Sequence, residues 1–262
     1  MATMSIGKAW EEAVAFVARE SSLLFPVALL FVALPGLILQ EMTPPELAKW
    51  NLSETTMPQV PGSFWLAMML AMIIIGFGSL TLLALALRPG ISVGEALRLS
   101  FARLPVLLGV ALVVAGFLAG AVIAATLAVT VLSLIAKPLG ATLALLLGVG
   151  VVAVTIFASV RLLLLNPVVI DGTAGVMASL RHGWALTRGH FWRLFGFIVA
   201  LTLLSAIVGG AAQAVFGLIG TLIGGPTGGR LIGGVAAAVV STVVQVYMLV
   251  MLARLYRQAE GS

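Results

Sequence analysis

Long apolar runs separated by short polar segments dominate the pattern of this 262-residue chain. A helix needs about 20 mostly apolar residues to cross the ~30 Å hydrocarbon core of a bilayer. Six runs are long enough, so the pattern predicts an all-α membrane protein with six transmembrane helices. The runs lie at approximately 22–40, 63–87, 105–136, 139–165, 191–223 and 231–253.

Two of these runs are longer than a straight crossing requires. Runs 105–136 and 191–223 hold 32 and 33 residues, and at 1.5 Å per residue both exceed the thickness of the hydrocarbon core. We therefore expect these helices to tilt, to break or to begin along the membrane surface. The glycine pairs Gly116/Gly120 and Gly209/Gly210 are candidate positions for bends or close helix contacts. The Pro- and Gly-containing segments "KPLG" and "GGPTGGR" are expected to form tight turns.

Three segments between the runs place apolar residues on one face at helical spacing, as amphipathic helices at a membrane surface do. Each opens with Ser or Thr, an apolar residue and Gly, and Ser5, Ser92 and Thr173 are of the type preferred at helix N-caps. Because each segment leads into two apolar runs, the order predicts three tandem units of one interfacial helix and two spans. The segments are 5–20, 92–103 and 173–190.

Composition supports a membrane location. The chain is 61% hydrophobic and 9% charged, with a mean hydropathy of +1.21, whereas soluble domains carry roughly 25% charged residues. A chain with so few charges cannot cover itself with a polar surface. We therefore expect residues 1–262 to form a single integral membrane domain.

The distribution of basic residues predicts the orientation. Segments 1–21, 88–104, 161–193 and 254–262 hold eleven Lys and Arg residues, and the alternate connections hold three. Basic residues collect on the cytoplasmic side of membrane proteins. This predicts a bacterial inner-membrane protein with both termini in the cytoplasm. It also accounts for the net charge of +5 without a nucleic-acid partner.

A set of arginines and tryptophans on the predicted cytoplasmic side is the candidate binding site. In one interpretation these residues hold anionic lipid headgroups, as basic pockets between spans do. In the other they only anchor the helices, as a topology signal with an aromatic belt. The second interpretation is the simpler one. The expected partners are membrane lipids, anionic ones in particular, or another membrane protein. The residues are Arg88, Arg98, Arg103, Arg181, Arg188, Arg193, Trp184 and Trp192.

Arg161 stands at the end of the fourth run, where a charge is costly unless it reaches the interface or finds a partner. Asp171 follows ten residues later, and Asn166-Pro167 is expected to end the helix between them. We interpret Arg161 and Asp171 as a structural pair that fixes the helix end. The alternative is a polar site at the cytoplasmic mouth of the bundle.

Candidate chemistry is sparse. The chain has no Cys and two His residues, His182 and His190, while a metal site needs three or four ligands. No nucleophile or phosphate-loop motif occurs in a fitting context. We therefore expect no metal, no cofactor and no enzymatic activity. A non-enzymatic protein that binds or moves lipid, or serves a membrane complex, is favoured; the alternatives are a small-solute transporter or channel and, third, an enzyme acting on lipid phosphates.

The most distinctive stretch, "VRLLLLNPVVIDGTAGVMASLRHGWALTRGHFWRLFGF", resembles the membrane domain of bacterial glycerophosphoryl diester phosphodiesterases. The resemblance implies a six-span fold, an inner-membrane location and a connection to lipids. The phosphodiesterase reaction belongs to a separate metal-dependent barrel, and because this sequence contains no such domain, the activity is not carried over. The matching positions are Arg161, Pro167, Asp171, Ser179, Trp184, Thr187, Arg188, Gly189 and Trp192.

Overall fold

The computed structural model describes residues 5–44, 46–47, 58–135, 137–172 and 175–261. Over these ranges the chain is helical and contains no strand, which confirms the predicted all-α fold. Five helical segments are long and apolar enough to cross a membrane, and the last of them bends back on itself as two arms. The chain is therefore a multi-pass membrane protein.

The helices follow the order expected from the apolar runs. Run 63–87 coincides with one helix to within a residue, and runs 191–223 and 231–253 fall on the two arms of the last helix. The first three elements are α1 (Ile6–Ala28), a π-helical turn (Leu29–Ala33) and α2 (Leu34–Met42). They are followed by α3 (Gly62–Leu87), α4 (Val93–Ile135), α5 (Lys137–Arg161), α6 (Leu165–Asp171), α7 (Val176–Leu186) and α8 (Phe191–Glu260).

The first predicted interfacial segment and the first run share helix α1. The Ser5 hydroxyl accepts a hydrogen bond from the Lys8 backbone N–H at 3.3 Å, as predicted for an N-cap. Glu20 departs from helical geometry, with φ −104° and ψ 16°. This kink separates the amphipathic turns of α1 from the apolar turns that begin at Ser21.

Helix α4 begins with a reciprocal cap. The Ser92 hydroxyl accepts from the Glu95 N–H at 3.2 Å, and the Glu95 carboxylate accepts from the Ser92 N–H at 2.8 Å. The helix then continues through Pro105 to Ile135, so the predicted segment 92–103 and run 105–136 are one element.

The glycines predicted to bend or pack α4 do neither. A Cβ on Gly116 or Gly120 would meet no atom within 4 Å, and the helix carries no break at either position. The structure therefore contradicts that prediction for α4.

The chain reverses inside α8, within the predicted "GGPTGGR" turn. Gly225 adopts φ +67°, a conformation that residues with a Cβ rarely take, and Pro226 opens the second arm. The arms then cross closely, because a Cβ on Gly220 would lie 2.5 Å from the Gly228 carbonyl oxygen. Gly209 and Gly210 remain helical, so the helix breaks at Gly224 and Gly225 and not at the glycine pair that was predicted to bend it.

Two other expectations concern connections. The segment "KPLG" belongs to the first turn of α5 rather than to a separate turn, and residue 136 lies outside the described residues. Thr173, the predicted N-cap of the third amphipathic segment, also lies outside them. The described helix of that segment, α7, starts after Gly175, which has no side-chain cap.

The buried core gathers near one end of the bundle. It joins Leu24 of α1, Leu83 of α3, Ile170 of α6 and Leu255 of α8, each at most 1% exposed. The apolar stretches of α4 and α5 remain largely open, with Leu134 83% exposed. Such open apolar surfaces suit contact with lipid chains.

Candidate functional site

The connections predicted to share one side of the membrane meet at one end of the bundle, here called the arginine-rich end. The Arg257 guanidinium donates to the Leu87 carbonyl, which ties α8 to α3. The Ser5 backbone N–H donates to Gln258 Oε1 at 2.9 Å, so the start of α1 lies beside the end of α8. His182 Nε2 lies 2.9 Å from Glu260 Oε1, which joins α7 to the same place.

The prediction that Arg161 pairs with Asp171 is wrong. Asp171 Oδ2 accepts a hydrogen bond from the Tyr256 hydroxyl at 3.2 Å, and its Oδ1 lies 3.9 Å from Arg88 Nη2. Helix α5 ends at Arg161, and after a short turn α6 carries Asp171 away to the ends of α3 and α8. At 1.5 Å per residue, the seven residues of α6 move the carboxylate by about 10 Å.

Arg161 instead lies between two aromatic rings. Its guanidinium carbon is 5.2 Å from the ring centre of Phe157 and 5.4 Å from that of Trp184. Phe157 lies one turn earlier on α5, and Trp184 comes from α7. The Thr187 hydroxyl donates to the Arg161 carbonyl at 3.0 Å and holds the end of α7 against the end of α5.

Two nitrogens of Arg161 are buried without a hydrogen-bond partner in the described part of the chain. They are Nε and Nη1. The aromatic rings attract the charge, but they do not replace a hydrogen-bond acceptor for a buried N–H group. An anionic oxygen placed beside these nitrogens would satisfy them with a charge-assisted hydrogen bond.

An apolar groove lies between α4 and α5, and the two rings that contact Arg161, Phe157 and Trp184, are part of its lining. Its first part has a volume of about 620 Å³, and Arg181 and Trp184 of α7 stand on its lining. A second part of about 460 Å³ shares Phe117, Leu118 and Val154 with the first, so the two are continuous. We call the whole the α4–α5 groove.

The length of the groove follows from the helix that lines it. Its α4 wall runs from Val113 to Ala128, which at 1.5 Å per residue is about 22 Å. Half of a ~30 Å hydrocarbon core is about 15 Å. The α4–α5 groove is thus long enough to follow a lipid chain through one leaflet.

The members of the predicted set of arginines and tryptophans stand in different surroundings. Of its eight members, Arg181 and Trp184 line the groove, while Arg88 pairs with Asp171. Trp192 is 78% exposed and packs its ring edge-to-face with Phe191, at 5.4 Å between ring centres. The other members stand on separate helices: Arg98 and Arg103 on the first turns of α4, Arg188 after α7 and Arg193 at the start of α8.

A second cavity lies between the two arms of α8, and sequence analysis missed it. This α8 cleft has a volume of about 590 Å³ and a floor of small residues that includes Gly209 and Gly210. Charged residues inside the runs were considered as candidate sites, but the uncharged polar residues there were not. Their helical spacing was the available signal, because it puts them on one face of each arm. The polar lining residues are Thr202, Ser205, Gln213, Ser241 and Gln245.

Titratable groups do not converge on a metal site in the ranges that the structure describes. No three His, Asp or Glu side chains lie close enough together there to hold an ion. His182 is engaged with Glu260, and Asp171 with Tyr256 and Arg88.

Comparison with known proteins places the chain in one family. Residues 4–259 match the family described as Domain of unknown function (DUF7847), and the chain belongs to that family. No curated protein and no solved structure matches the chain. The resemblance to the membrane domain of glycerophosphoryl diester phosphodiesterases therefore stays a prediction.

Proposed function

We propose that this chain is a non-enzymatic protein of the bacterial inner membrane that binds, and helps to move, a lipid or other amphiphile with an anionic headgroup. The observation that carries the proposal is Arg161, which has two buried nitrogens without a hydrogen-bond partner and contacts two rings, Phe157 and Trp184, that line an apolar groove. The headgroup would lie against Arg161 and Arg181, and one hydrocarbon chain would follow the α4–α5 groove.

The charge of the site favours an anion. A buried guanidinium without an acidic partner is destabilising, and an anionic ligand removes that penalty while gaining charge-assisted hydrogen bonds. A phosphate ester matches the planar fork of an arginine well. Arg181 adds a second positive charge at the rim of the groove.

The shape of the site favours a hydrocarbon chain. Apart from Arg181, the groove is lined mainly by apolar side chains of α4, α5 and α7, such as Val114, Phe117 and Val154. Small-molecule sites commonly combine an apolar cavity with a few well-placed polar groups. A chain with an anionic head is the ligand class that uses both parts.

The basic bias of the sequence supports an orientation with the arginine-rich end in the cytoplasm. Eleven of the fourteen Lys and Arg residues lie in the segments assigned to that side. The cytoplasmic leaflet carries a negative surface potential from its anionic lipids. A lipid of that leaflet could therefore reach Arg161 without crossing the bilayer.

The test is lipid retention by native mass spectrometry. Wild-type protein is incubated with phosphatidylglycerol or with phosphatidylcholine of the same acyl chains. We expect preferential retention of phosphatidylglycerol and a loss of at least about tenfold in Arg161→Gln, because hydrogen bonds to charged groups contribute roughly 1.5–3 kcal/mol. Arg98→Gln makes the same charge change outside the groove and is the matched control.

A groove-filling variant separates the headgroup from the chain. Ala158→Phe would occupy the first part of the groove and should also reduce retention, although every arginine remains. Equal retention of the two lipids, or an equal loss in Arg161→Gln and Arg98→Gln, would mean that the arginines only anchor the helices.

A further inference from the structure

The five polar side chains of the α8 cleft lack hydrogen-bond partners within the described ranges. None of Thr202, Ser205, Gln213, Ser241 and Gln245 makes a side-chain hydrogen bond there. Neighbouring threonines on the same helix behave differently: Thr221 and Thr242 donate to carbonyls four residues earlier at 2.8 and 2.7 Å. The cleft residues thus keep donors and acceptors available.

These side chains lie halfway along the arms. Thr202 is eleven residues from the start of α8 at Phe191, and Gln213 is eleven residues from the break at Gly224. At 1.5 Å per residue, the first arm therefore leaves about 16 Å on either side of the cleft. In the second arm, Ser241 is fifteen residues from Pro226 at its start, and Gln245 is fifteen residues from Glu260 at its end. The cleft consequently lies near the middle of the membrane.

Small residues leave the space that the cleft occupies. Near the turn the arms touch through Gly220 and Gly228. In the cleft, Gly209 and Ala237 leave room between the arms, and a Cβ on Gly209 would lie 3.5 Å from Ser241 Oγ of the other arm. The resulting volume of about 590 Å³ falls in the range of ligand sites.

The chemistry of the lining selects the ligand. No charged side chain lines the cleft, so an ion would find no countercharge. Hydroxyl and amide groups both donate and accept hydrogen bonds, and leaving them unpaired at mid-membrane is costly. A group with several hydroxyls can satisfy donors and acceptors at once.

We propose that the α8 cleft binds an uncharged, hydroxyl-rich group such as a sugar or polyol, which arrives either as a free solute or as the headgroup of a lipid. This site goes beyond the anionic site at the α4–α5 groove and shares no lining residue with it. Either site can therefore fail its test without affecting the other.

The binding test compares two lipids that differ only in the sugar. Native mass spectrometry measures retention of a glucosyl diacylglycerol and of the diacylglycerol with the same chains. We expect retention of the glucosyl lipid and a loss of about tenfold in the double variant Gln213→Leu/Gln245→Leu, as expected for two missing hydrogen bonds. Thr126→Val/Thr130→Val removes two polar groups from α4, outside the cleft, and should leave retention unchanged.

Competition separates the two sources of the ligand. Excess free glucose should displace the lipid if the site recognises the sugar alone, and should not if the lipid chains contribute to binding. Equal retention of the two lipids would overturn the proposal. Equal retention of the glucosyl lipid by wild type and by Gln213→Leu/Gln245→Leu would do the same.

The absence of cysteine provides a second test. Ser241→Cys places a lone thiol in the cleft, and Ile207→Cys places one at similar depth on a surface that is 68% exposed. A thiol must ionise to react, which requires a polar environment. We expect a small water-soluble thiol reagent to label Ser241→Cys at least tenfold faster, and the glucosyl lipid to protect it. Equal labelling rates of Ser241→Cys and Ile207→Cys would overturn the proposal. A disulfide between two copies of Ser241→Cys would also overturn it, because a second copy of the chain would then fill the cleft.

Discussion

The guanidinium carbon of Arg161 lies 5.4 Å from the ring centre of Trp184. This contact joins the last residue of α5 to the amphipathic helix α7, and it leaves the arginine beside the α4–α5 groove. Cation–π contacts contribute roughly 0.5–2 kcal/mol, more when the cation is desolvated.

The first prediction is a measurable coupling between these two residues. In a double-mutant cycle of Arg161→Met and Trp184→Leu, we expect the free energy of unfolding to show a coupling of about 1 kcal/mol. The measurement is SDS-induced unfolding in mixed micelles. Pairing Arg161→Met with Trp192→Leu is the control, because Trp192 packs on Phe191 and Phe195 instead. A coupling of similar size in both cycles would contradict the assigned contact.

The second prediction concerns the true partners of Asp171. Tyr256→Phe removes one hydrogen bond to this carboxylate and should lower the free energy of unfolding by about 1 kcal/mol. In Asp171→Asn the same tyrosine substitution should cost less, because the charged acceptor is gone. A cycle of Asp171→Asn with Arg161→Met should show no coupling. If that cycle gave the larger coupling, the originally predicted pair would be restored.

The third prediction compares two glycines in apolar helices. A Cβ on Gly78 would lie 2.5 Å from the Cβ of Phe31, whereas a Cβ on Gly116 meets nothing within 4 Å. Gly78→Ala should therefore destabilise the protein by about 1–3 kcal/mol, as overpacking does, and Gly116→Ala should be neutral or slightly stabilising. Thermal unfolding of both variants in the same detergent measures the difference. Equal midpoints would show that α3 does not cross the π-helical turn closely.

The fourth prediction is a pH dependence at the start of α4, outside the membrane-spanning part of that helix. The Ser92 backbone N–H and hydroxyl donate to the Glu95 carboxylate and lower its pKa below the ordinary glutamate value. A lowered folded-state pKa stabilises the folded protein above the unfolded-state value of about 4.3, and this contribution is lost as the pH falls through the lowered pKa. Unfolding midpoints of wild type and Glu95→Gln should thus differ at neutral pH and converge in acid. A gap that stays constant down to acid pH would disprove this linkage.

Local patterns were sufficient to predict much of the fold. The apolar runs identify the long helices because the need for about 20 apolar residues acts on contiguous sequence. The caps at Ser5 and Ser92 were likewise predictable, since an N-cap bonds within three residues of itself. The reversal at Gly225 follows from the same kind of local signal, a Gly- and Pro-rich segment.

Partners that are distant in sequence were not predictable in the same way. Asp171 was assigned to Arg161, ten residues away, but its partners are Arg88 and Tyr256, more than eighty residues away on either side. These partners are decided by the packing of α6 between α3 and α8. The α8 cleft was missed for a related reason: Gln213 and Gln245 are unremarkable separately, and the hairpin brings them to one cavity.

The reversal at Gly225 also decides where the last helix ends. Because of it, the second arm of α8 returns to the arginine-rich end, and the Ser5 backbone N–H donates to Gln258 Oε1 there. Without the reversal, these two positions would lie at opposite ends of the bundle. A short linker between residues 5 and 258 would therefore allow circular permutation, with new termini opened in the connection between α2 and α3.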